Sequence, residues 1–207
     1  MGAESPAAGA SLGNDVVDLD DPPNRVVHPR YAARVCGPEE AARVHKSPEP
    51  RAALWTLFAA KEAAYKAAMK LPGGPSLFEP RRYFVEPDLR SVRLDRRHFS
   101  LRVETHASWI HAVAWTGPVC PHAALQAVPD VSDPGAEARL LLRRELSRGL
   151  ACPLQCLDVV RPPRPGSWDG FGPPRLYVRG EPAPVDVSLS HDGRFVACAF
   201  LRTDGRD

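Results

Sequence analysis

A cluster of charged residues interrupts the apolar face of a segment that the sequence predicts to be helical. Residues 50–70 are rich in Ala, Leu, Glu and Lys and are followed by Pro72, which predicts one long helix. At ~100° per residue, Lys61 and Glu62 fall within the apolar arc of this helix and Lys66 lies at its edge. A buried carboxylate without a partner costs several kcal/mol, so Glu62 would need a metal ion, a cation or an altered pKa. The alternative is a solvated Glu62–Lys66 pair at i, i+4 spacing, worth ~0.3–0.5 kcal/mol, but the position in the apolar arc favours a functional site.

The N-terminal segment supplies a second carboxylate. Asp15 follows Gly13 by two residues and leads into Val16 at the start of an apolar stretch. Glycine lets another part of the backbone approach closely, and Asp15 would share a cavity with Glu62 on the strand face opposite Val16. Two carboxylates with open coordination positions suit Mg²⁺, which keeps water ligands and binds phosphate oxygens. In the alternative interpretation Asp15 is a solvated acid at the end of a loop.

A third segment, Ser-Leu-Ser-His-Asp-Gly at residues 188–193, combines hydroxyls, a histidine and a turn. Ser190, His191 and the turn amides suit a phosphate-binding cradle. Because neighbouring strand residues point to opposite faces, Ser190 and His191 do not suit a nucleophile–base pair, and a hydrolase triad is disfavoured.

Composition excludes several classes of protein. The hydrophobic fraction of 43% and charged fraction of 25% are typical of a globular protein, and 27 Lys and Arg against 25 Asp and Glu argue against a general nucleic-acid binder. The five scattered cysteines predict neither a disulfide framework nor a zinc site. No apolar run is long enough to cross a bilayer and the first ten residues lack the features of a signal peptide, so we expect a cytoplasmic protein without a membrane partner.

The remaining pattern predicts an α+β chain in two parts. Residues 1–10 are expected to be a disordered lead-in, and 118–134 a linker between a first half at 11–117 and a second half at 135–207. Short apolar or alternating runs predict strands, and the longer periodic runs predict helices: strands at 16–19, 99–104, 109–115, 185–190 and 195–200, helices at 39–45, 50–70 and 135–150, and a Pro/Gly-rich loop at 161–174.

The two predicted hairpins resemble each other. Ala112 aligns with Ala197 and Trp115 with Phe200 at the same offset along the chain, and each hairpin follows a helix. Two similar α+β halves packed around a pseudo-twofold axis are therefore the expected architecture.

Taken together, the three motifs resemble those of 4′-phosphopantetheinyl transferases. They are Gly-x-Asp at 13–15, Trp-x-x-x-x-x-Lys-Glu-Ala-x-x-Lys at 55–66, and Ser-Leu-Ser-His-Asp-Gly at 188–193. The resemblance implies a transferase fold of this superfamily and the activity of a holo-[acyl-carrier-protein] synthase. Such an enzyme transfers the 4′-phosphopantetheine group from coenzyme A to a serine of an apo acyl or peptidyl carrier protein, giving holo-carrier protein and 3′,5′-ADP.

The resemblance also implies roles for single residues. Asp15 and Glu62 match the ligands of Mg²⁺, with Mn²⁺ as the alternative metal, and Glu62 is the group nearest the proton of the attacking serine. Lys66 matches a catalytic lysine that stabilises the leaving diphosphate. The residues matched to coenzyme A binding are Lys61, Lys66, Ser190 and His191, and more loosely Arg175.

Two departures from the family pattern bear on oligomeric state. The long, surfactin-synthetase-associated relatives carry a third acid where this chain has Val17, whereas the short trimeric holo-acyl-carrier-protein synthases have a water there, which is expected here. The motif order is that of the short type, although the length of 207 residues is near that of the long type. A permuted pseudo-dimer accounts for both, so we expect a monomer.

Three alternatives to the transferase remain open from the sequence. The first is a coenzyme A-binding pseudoenzyme that partners a synthase, against which the Asp15 and Glu62 pair argues. The second is a metal-dependent phosphodiesterase, which predicts turnover of coenzyme A without a carrier protein. The third is a structural interaction module without catalysis.

Overall fold

The computed structural model describes residues 10–25, 28–129, 132–165 and 170–203, so the predicted lead-in at 1–10 lies outside the described residues except for Ala10. Within these ranges the helices are α1 (Pro22–Arg25), α2 (Pro29–Val35), α3 (Pro38–Lys46), α4 (Pro50–Ala68) and α5 (Pro134–Gly149). The strands are β1 (Leu12–Asp18), β2 (Tyr83–Val85), β3 (Ser91–Leu94), β4 (Arg97–Thr105), β5 (Trp109–Trp115), β6 (His122–Ala127), β7 (Leu157–Val160), β8 (Arg175–Val178), β9 (Glu181–Pro182), β10 (Val185–Asp192) and β11 (Phe195–Arg202). This mixture confirms the predicted α+β class.

The predicted long helix is confirmed as α4, which has Pro50 at its first turn, where a missing backbone N–H is tolerated. Six alanines of this helix have no exposed surface: Ala59, Ala60, Ala63, Ala64, Ala67 and Ala68. Their small side chains let the helix lie close to a sheet.

In the described part of the chain, no helix combines the length and the apolar character that crossing a bilayer requires.

The first half is an antiparallel sheet covered on one face by α4. The strand order is β1-β5-β4-β3-β2, and the predicted hairpin at 99–115 is confirmed as β4 and β5. Alternate residues of the strands, among them Phe99, Leu101 and Ile110, point to α4 and form the first core with Leu54 and Leu57. Because β1 is the outermost strand, one of its edges has no backbone partner.

The second half repeats this arrangement on a smaller scale. A sheet of order β10-β11-β6 packs against α5, with Leu142, Leu146, Val187 and Val196 in the second core. The predicted hairpin is confirmed, with its turn at Gly193. A third sheet of order β7-β8-β9 packs Leu157 and Leu176 into the same core, a feature that the sequence analysis did not predict.

The predicted linker at 118–134 is wrong, because residues 122–127 form β6. This strand pairs with β11 along its whole length, from His122 opposite Phe200 to Ala127 opposite Phe195. Its sequence, His-Ala-Ala-Leu-Gln-Ala, has no β-branched residue and therefore a weak strand propensity. The strand forms because β11 offers it a partner, which is a tertiary effect.

The two halves meet face to face along β1 and β5 on one side and β10 and β11 on the other. One apolar cluster joins Leu12 and Val113 to Ala199 and Leu201, and a second joins Val16 to Phe195 and Ala197. In both halves the order is strand, helix, hairpin, with the first strand paired to the last strand of the hairpin. The predicted pseudo-twofold axis between the halves stays a prediction.

Gly13 is the point at which β1 and α4 cross. A Cβ atom added there would lie 2.1 Å from the Ala63 carbonyl oxygen and 2.7 Å from the Ala67 nitrogen. We expect Gly13→Ala to lower the free energy of unfolding by ~1–3 kcal/mol or more, because two backbone segments must separate. Urea unfolding measures this change.

The matched control is Gly37→Ala, since an added Cβ at Gly37 meets nothing closer than 3.9 Å. Gly37 has φ of −74°, which alanine adopts without strain, but it is the N-cap of α3, where glycine is preferred to alanine, so this variant is expected to lower stability by only about 0.5–1 kcal/mol. Equal stabilities for the two variants would contradict the close crossing.

Candidate active site

The crossing of β1 and α4 places three of the predicted residues together. Asp15 lies on the face of β1 that points to α4, because Gly13, two residues before it, packs against that helix. Ser11 Oγ donates a hydrogen bond of 2.7 Å to the Ala67 carbonyl and fixes the start of β1 to the end of α4. Glu62 and Lys66, one turn apart on α4, then flank Asp15.

Lys66 is the centre of this cluster. Its Nζ atom donates to Asp15 Oδ1 at 2.8 Å and to the Asn14 carbonyl at 3.1 Å, and it lies 3.3 Å from Glu62 Oε1. The Asp15 side chain is 8% exposed, whereas those of Lys66 and Glu62 are 23% and 27% exposed. One carboxylate is therefore buried at the base of the cluster, and the other two groups are open to a ligand.

Electrostatics in the cluster favour added positive charge. Burial and the negative charge of Glu62 raise the pKa of Asp15, Lys66 partly offsets them, and the resulting pKa is about 8. Burial lowers the pKa of Lys66, but the charges of Asp15 and Glu62 outweigh burial and raise it above its usual range. Lys66 is therefore a permanent cation. Two carboxylates that share a single ammonium group leave room for another cation.

The donor set fits a hard divalent cation. Asp15 and Glu62 offer carboxylate oxygens, which Mg²⁺ and Mn²⁺ prefer, and two protein ligands leave the other positions to water and phosphate. Within the described ranges, no group of three or more His, Cys, Asp or Glu side chains assembles into a metal site. A cation held here would therefore rely on oxygens from outside the protein.

Tyr31 is a residue of this region that the sequence analysis missed. Its ring lies 5.2 Å from Trp55 and 6.0 Å from Phe58, measured between centroids. Burial raises the pKa of its hydroxyl above the usual range, and the charges of Glu62 and Asp15 raise it further. The only available signal was Pro29, which suits the first turn of α2 but was not interpreted as a helix start.

The second half contributes His191 and Asp192 from the end of β10. His191 is exposed, and burial of part of its ring together with the charge of Lys66 lowers its pKa. Asp192 Oδ2 accepts from the Asp18 backbone N–H at 2.8 Å and from Asn24 Nδ2 at 2.6 Å. His191 therefore lies close enough to the cluster to be affected by the charge of Lys66.

An ion pair holds the β10–β11 turn against the end of β1. Arg194 donates to Asp18 through its Nε atom at 2.8 Å and one Nη atom at 2.7 Å. Burial raises the pKa of Asp18, but the hydrogen bonds from Arg194 outweigh it and bring the pKa to about 2. A Cβ atom added at Gly193 would lie 2.5 Å from Asp18 Oδ2, so only glycine fits this turn.

Ser190, which was predicted to contact a phosphate, lies in a buried contact between the two halves. Ser190 is 5% exposed, and its Oγ accepts a hydrogen bond of 3.0 Å from Asn14 Nδ2. Asn14 Nδ2 also lies 3.2 Å from His111 Nε2 in the same buried group. Ser190 points between the two halves and His191 points away, as expected for neighbouring strand residues.

Lys61, which was also predicted to contact a phosphate, lies in a buried ion pair. Lys61 has no exposed surface; its Nζ donates to Glu40 Oε2 at 2.5 Å and to the Val35 carbonyl at 2.7 Å. Glu40 in turn accepts from the backbone N–H groups of Gly37 and Val85. Lys61 thus joins α2, α3 and β2 to α4 and does not reach the cluster around Lys66.

Arg175 lies apart from the cluster in the strand order. It begins β8, which pairs with β7 and β9, and its side chain is exposed. Neither Asp15 nor Glu62 shares a sheet with it. Its predicted contact with coenzyme A stays a prediction.

His111 makes stability depend on pH. Burial, together with the charges of Arg102 and Lys66, lowers the pKa of His111 to about 4, from 6.5 when unfolded. Because the unfolded chain binds a proton that the folded protein rejects, stability is complete above pH 6.5 and falls as the pH drops towards 4. This protonation should lower the free energy of unfolding by ~3 kcal/mol as the pH falls to about 4. We expect His111→Gln to abolish that part of the decrease.

Urea unfolding at pH 7 and pH 4.5 measures the effect. His98→Gln is the control, because His98 is exposed on β4 and its replacement should leave the pH dependence unchanged. The prediction is wrong if both variants keep the acid sensitivity of the parent.

Comparisons with known proteins identify the family of this chain. A family model described as ACPS, 4′-phosphopantetheinyl transferase superfamily, matches residues 11–114, which are half of the chain. A solved structure, the holo-[acyl-carrier-protein] synthase of Thermotoga maritima, aligns with 13% sequence identity over 84% of this chain and 85% of that one, with a TM-score of 0.38. A search of curated proteins finds no match. The range matched by the family model contains Asp15, Glu62 and Lys66.

Proposed function

Because the chain belongs to the 4′-phosphopantetheinyl transferase superfamily, we propose that it transfers 4′-phosphopantetheine from coenzyme A to a serine of an apo carrier protein. The products are holo-carrier protein and 3′,5′-ADP. The observation that carries the proposal is the cluster of Asp15, Lys66 and Glu62, in which Lys66 Nζ lies within 3.3 Å of both carboxylates. Positioning and charge account for most of the catalysis in phosphoryl transfer, and this cluster supplies both.

Asp15 and Glu62 would hold the divalent cation, Mg²⁺ or Mn²⁺. When bound, that cation supplies charge that binds the pyrophosphate of coenzyme A and offsets the negative charge that develops on it. The buried Asp15 carboxyl, whose pKa is raised by burial and by Glu62, is stabilised as the anion by any added cation. A titration with Mg²⁺ should therefore release protons below pH 8.

Side chains of this protein account for the rest of the transfer reaction. The carrier serine Oγ attacks the β-phosphorus, its proton passes to Glu62, and the bond to the 3′,5′-ADP oxygen breaks. Lys66 stays protonated throughout and neutralises the departing phosphate oxygens. We propose that His191, exposed at the end of β10, donates to a phosphate of coenzyme A. Lys61 and Ser190 take no part, because both are buried in other contacts.

Intact-mass spectrometry of an apo acyl carrier protein tests the proposal. The carrier is incubated with this protein, coenzyme A and Mg²⁺, and its mass should rise by one phosphopantetheine. Consumption of coenzyme A without a carrier would indicate a phosphodiesterase instead. Binding of coenzyme A with no mass gain on acyl or peptidyl carriers would indicate a pseudoenzyme that partners a synthase.

We also propose that the chain acts as a monomer in the cytoplasm. The strand–helix–hairpin unit occurs twice in the chain, which supports a pseudo-dimer of similar halves around a pseudo-twofold axis. The first half then carries the carboxylates and the second half carries His191. Light scattering on the purified protein distinguishes a monomer from a trimer, and a trimer would contradict this part of the proposal.

A further inference from the structure

The outer edge of β1 is paired with side chains instead of a strand. The backbone N–H of Leu12 donates to Asp186 Oδ2 at 2.8 Å, that of Asn14 to Ser188 Oγ at 3.0 Å, and that of Asp18 to Asp192 Oδ2 at 2.8 Å. The accepting residue lies 174 positions beyond the donor in all three bonds. The two strands therefore run in register, and we call Asp186, Ser188 and Asp192 the β10 ladder.

The sequence of β10 explains why this arrangement is possible. Residues 186, 188 and 192 are polar and lie on one face of the strand, whereas Val185, Val187 and Leu189 lie on the other face in the second core. β10 thus presents oxygen atoms to β1 at residues 186, 188 and 192. They meet the N–H groups of residues 12, 14 and 18 on the edge of β1.

The carbonyl groups on the same edge are also paired. The Leu12 carbonyl accepts from Lys70 at 2.7 Å, and the Asn14 carbonyl accepts from Lys66 at 3.1 Å. Lys70 also donates to Asp186 Oδ1 at 2.8 Å, so it joins α4, β1 and the β10 ladder. The edge of β1 is therefore held by α4 on one side and by the second half on the other.

Asp15 lies in the middle of this edge. Asn14, directly before it, is fully buried and donates its N–H to Ser188 while its carbonyl accepts from Lys66. Lys66 is also the partner of Asp15. A shift of the backbone at Asn14 would move both the Asp15 carboxylate and the cation beside it.

We propose that the β10 ladder positions Asp15: Asp186, Ser188 and Asp192 replace a neighbouring strand and fix the backbone of β1 relative to the second half. Ser188 is a positioning residue, since it acts through Asn14 and does not touch the carboxylates. Its effect on transfer rests on the proposed function, but its effect on β1 does not.

Three variants of the full chain test the proposal. Ser188→Ala removes the acceptor of the Asn14 N–H, and Ser188→Thr keeps a hydroxyl in its place. Val187→Ala is the matched control, because Val187 is the adjacent residue of β10 but points into the second core. Ser188→Ala and Val187→Ala both remove buried atoms, so both lower global stability. Only Ser188→Ala removes a hydrogen bond of the β10 ladder.

Hydrogen exchange of the β1 amides is the first readout. We expect the Asn14 amide to exchange about tenfold faster or more in Ser188→Ala, with protection restored in Ser188→Thr and unchanged in Val187→Ala. Exchange that is unaltered in Ser188→Ala, or raised equally in Val187→Ala, overturns the proposal. This readout needs neither coenzyme A nor a carrier protein.

The second readout is the transfer reaction. Ser188→Ala should lower kcat about tenfold and leave KM for coenzyme A within about twofold, because a 1 Å displacement of a catalytic group acts on the reaction step. Val187→Ala should keep the kcat of the parent protein at a temperature where it is folded. An equal loss of kcat in both variants overturns the positioning role. Absence of transfer in the parent protein would refute the proposed function, and hydrogen exchange would still decide whether the ladder holds β1.

Discussion

Glu62→Gln is expected to lower the rate of phosphopantetheine transfer by about 10²–10⁴-fold, the range usual for loss of a group that moves a proton in the transition state. The substitution keeps the size of the side chain and its hydrogen bonding but removes the charge that faces Lys66. Because Glu62 is proposed both to hold the divalent cation and to accept the serine proton, kcat and the apparent affinity for Mg²⁺ should fall together.

The measurement is the mass gain of the apo carrier over time, at several Mg²⁺ concentrations. Glu181→Gln makes the same chemical change on β9, which pairs only with β8, and should retain the rate of the parent protein. Both variants should show a cooperative unfolding transition in urea, which confirms that they are folded in its absence. A rate for Glu62→Gln close to that of Glu181→Gln would remove Glu62 from the mechanism.

Lys61→Met is expected to lower the free energy of unfolding by ~3–5 kcal/mol, the cost of removing one partner from a buried ion pair. The Lys61 ammonium donates to Glu40 at 2.5 Å in a region without exposed surface. Its loss leaves the Glu40 carboxylate buried without a cation. The KM for coenzyme A should stay within about twofold, since Lys61 does not touch the open part of the site.

Urea unfolding with two further variants separates this role from phosphate binding. Lys46→Met is the control, because Lys46 is exposed at the end of α3 and its replacement should change stability by less than about 0.5 kcal/mol. Glu40→Gln added to Lys61→Met should restore part of the lost stability, since a neutral amide still accepts from the Gly37 or Val85 N–H. Normal stability of Lys61→Met with a raised KM would contradict the structural role.

Local patterns in the sequence were enough to predict the elements that carry the site. Proline at its start and an alanine-rich run specified α4, and the turn at Gly193 specified the β10–β11 hairpin, because these signals lie within a few residues of the structure they produce. The same holds for the chemistry of Glu62 and Lys66, which stood out as charges on an apolar arc. The α+β class followed from these elements.

Strands with distant partners could not be predicted in the same way. β6 has a weak strand propensity and exists because β11 binds it, and β7 pairs with β8 across a Pro/Gly-rich loop. Propensity within a window of residues contains no information on such partners. The predicted linker at 118–134 was wrong for this reason.

The sequence therefore established which residue types are available at the site, and the packing of the elements established which of them can reach a ligand. Lys61 and Lys66 belong to one motif on one helix, but their offset of five positions turns the first towards Glu40 and the second towards Asp15. Ser190 and His191 are neighbours, but strand geometry turns the serine into the contact with Asn14 and leaves the histidine exposed. In both cases the partner that decides the role lies far away in the chain, and only folding brings it within hydrogen-bond distance.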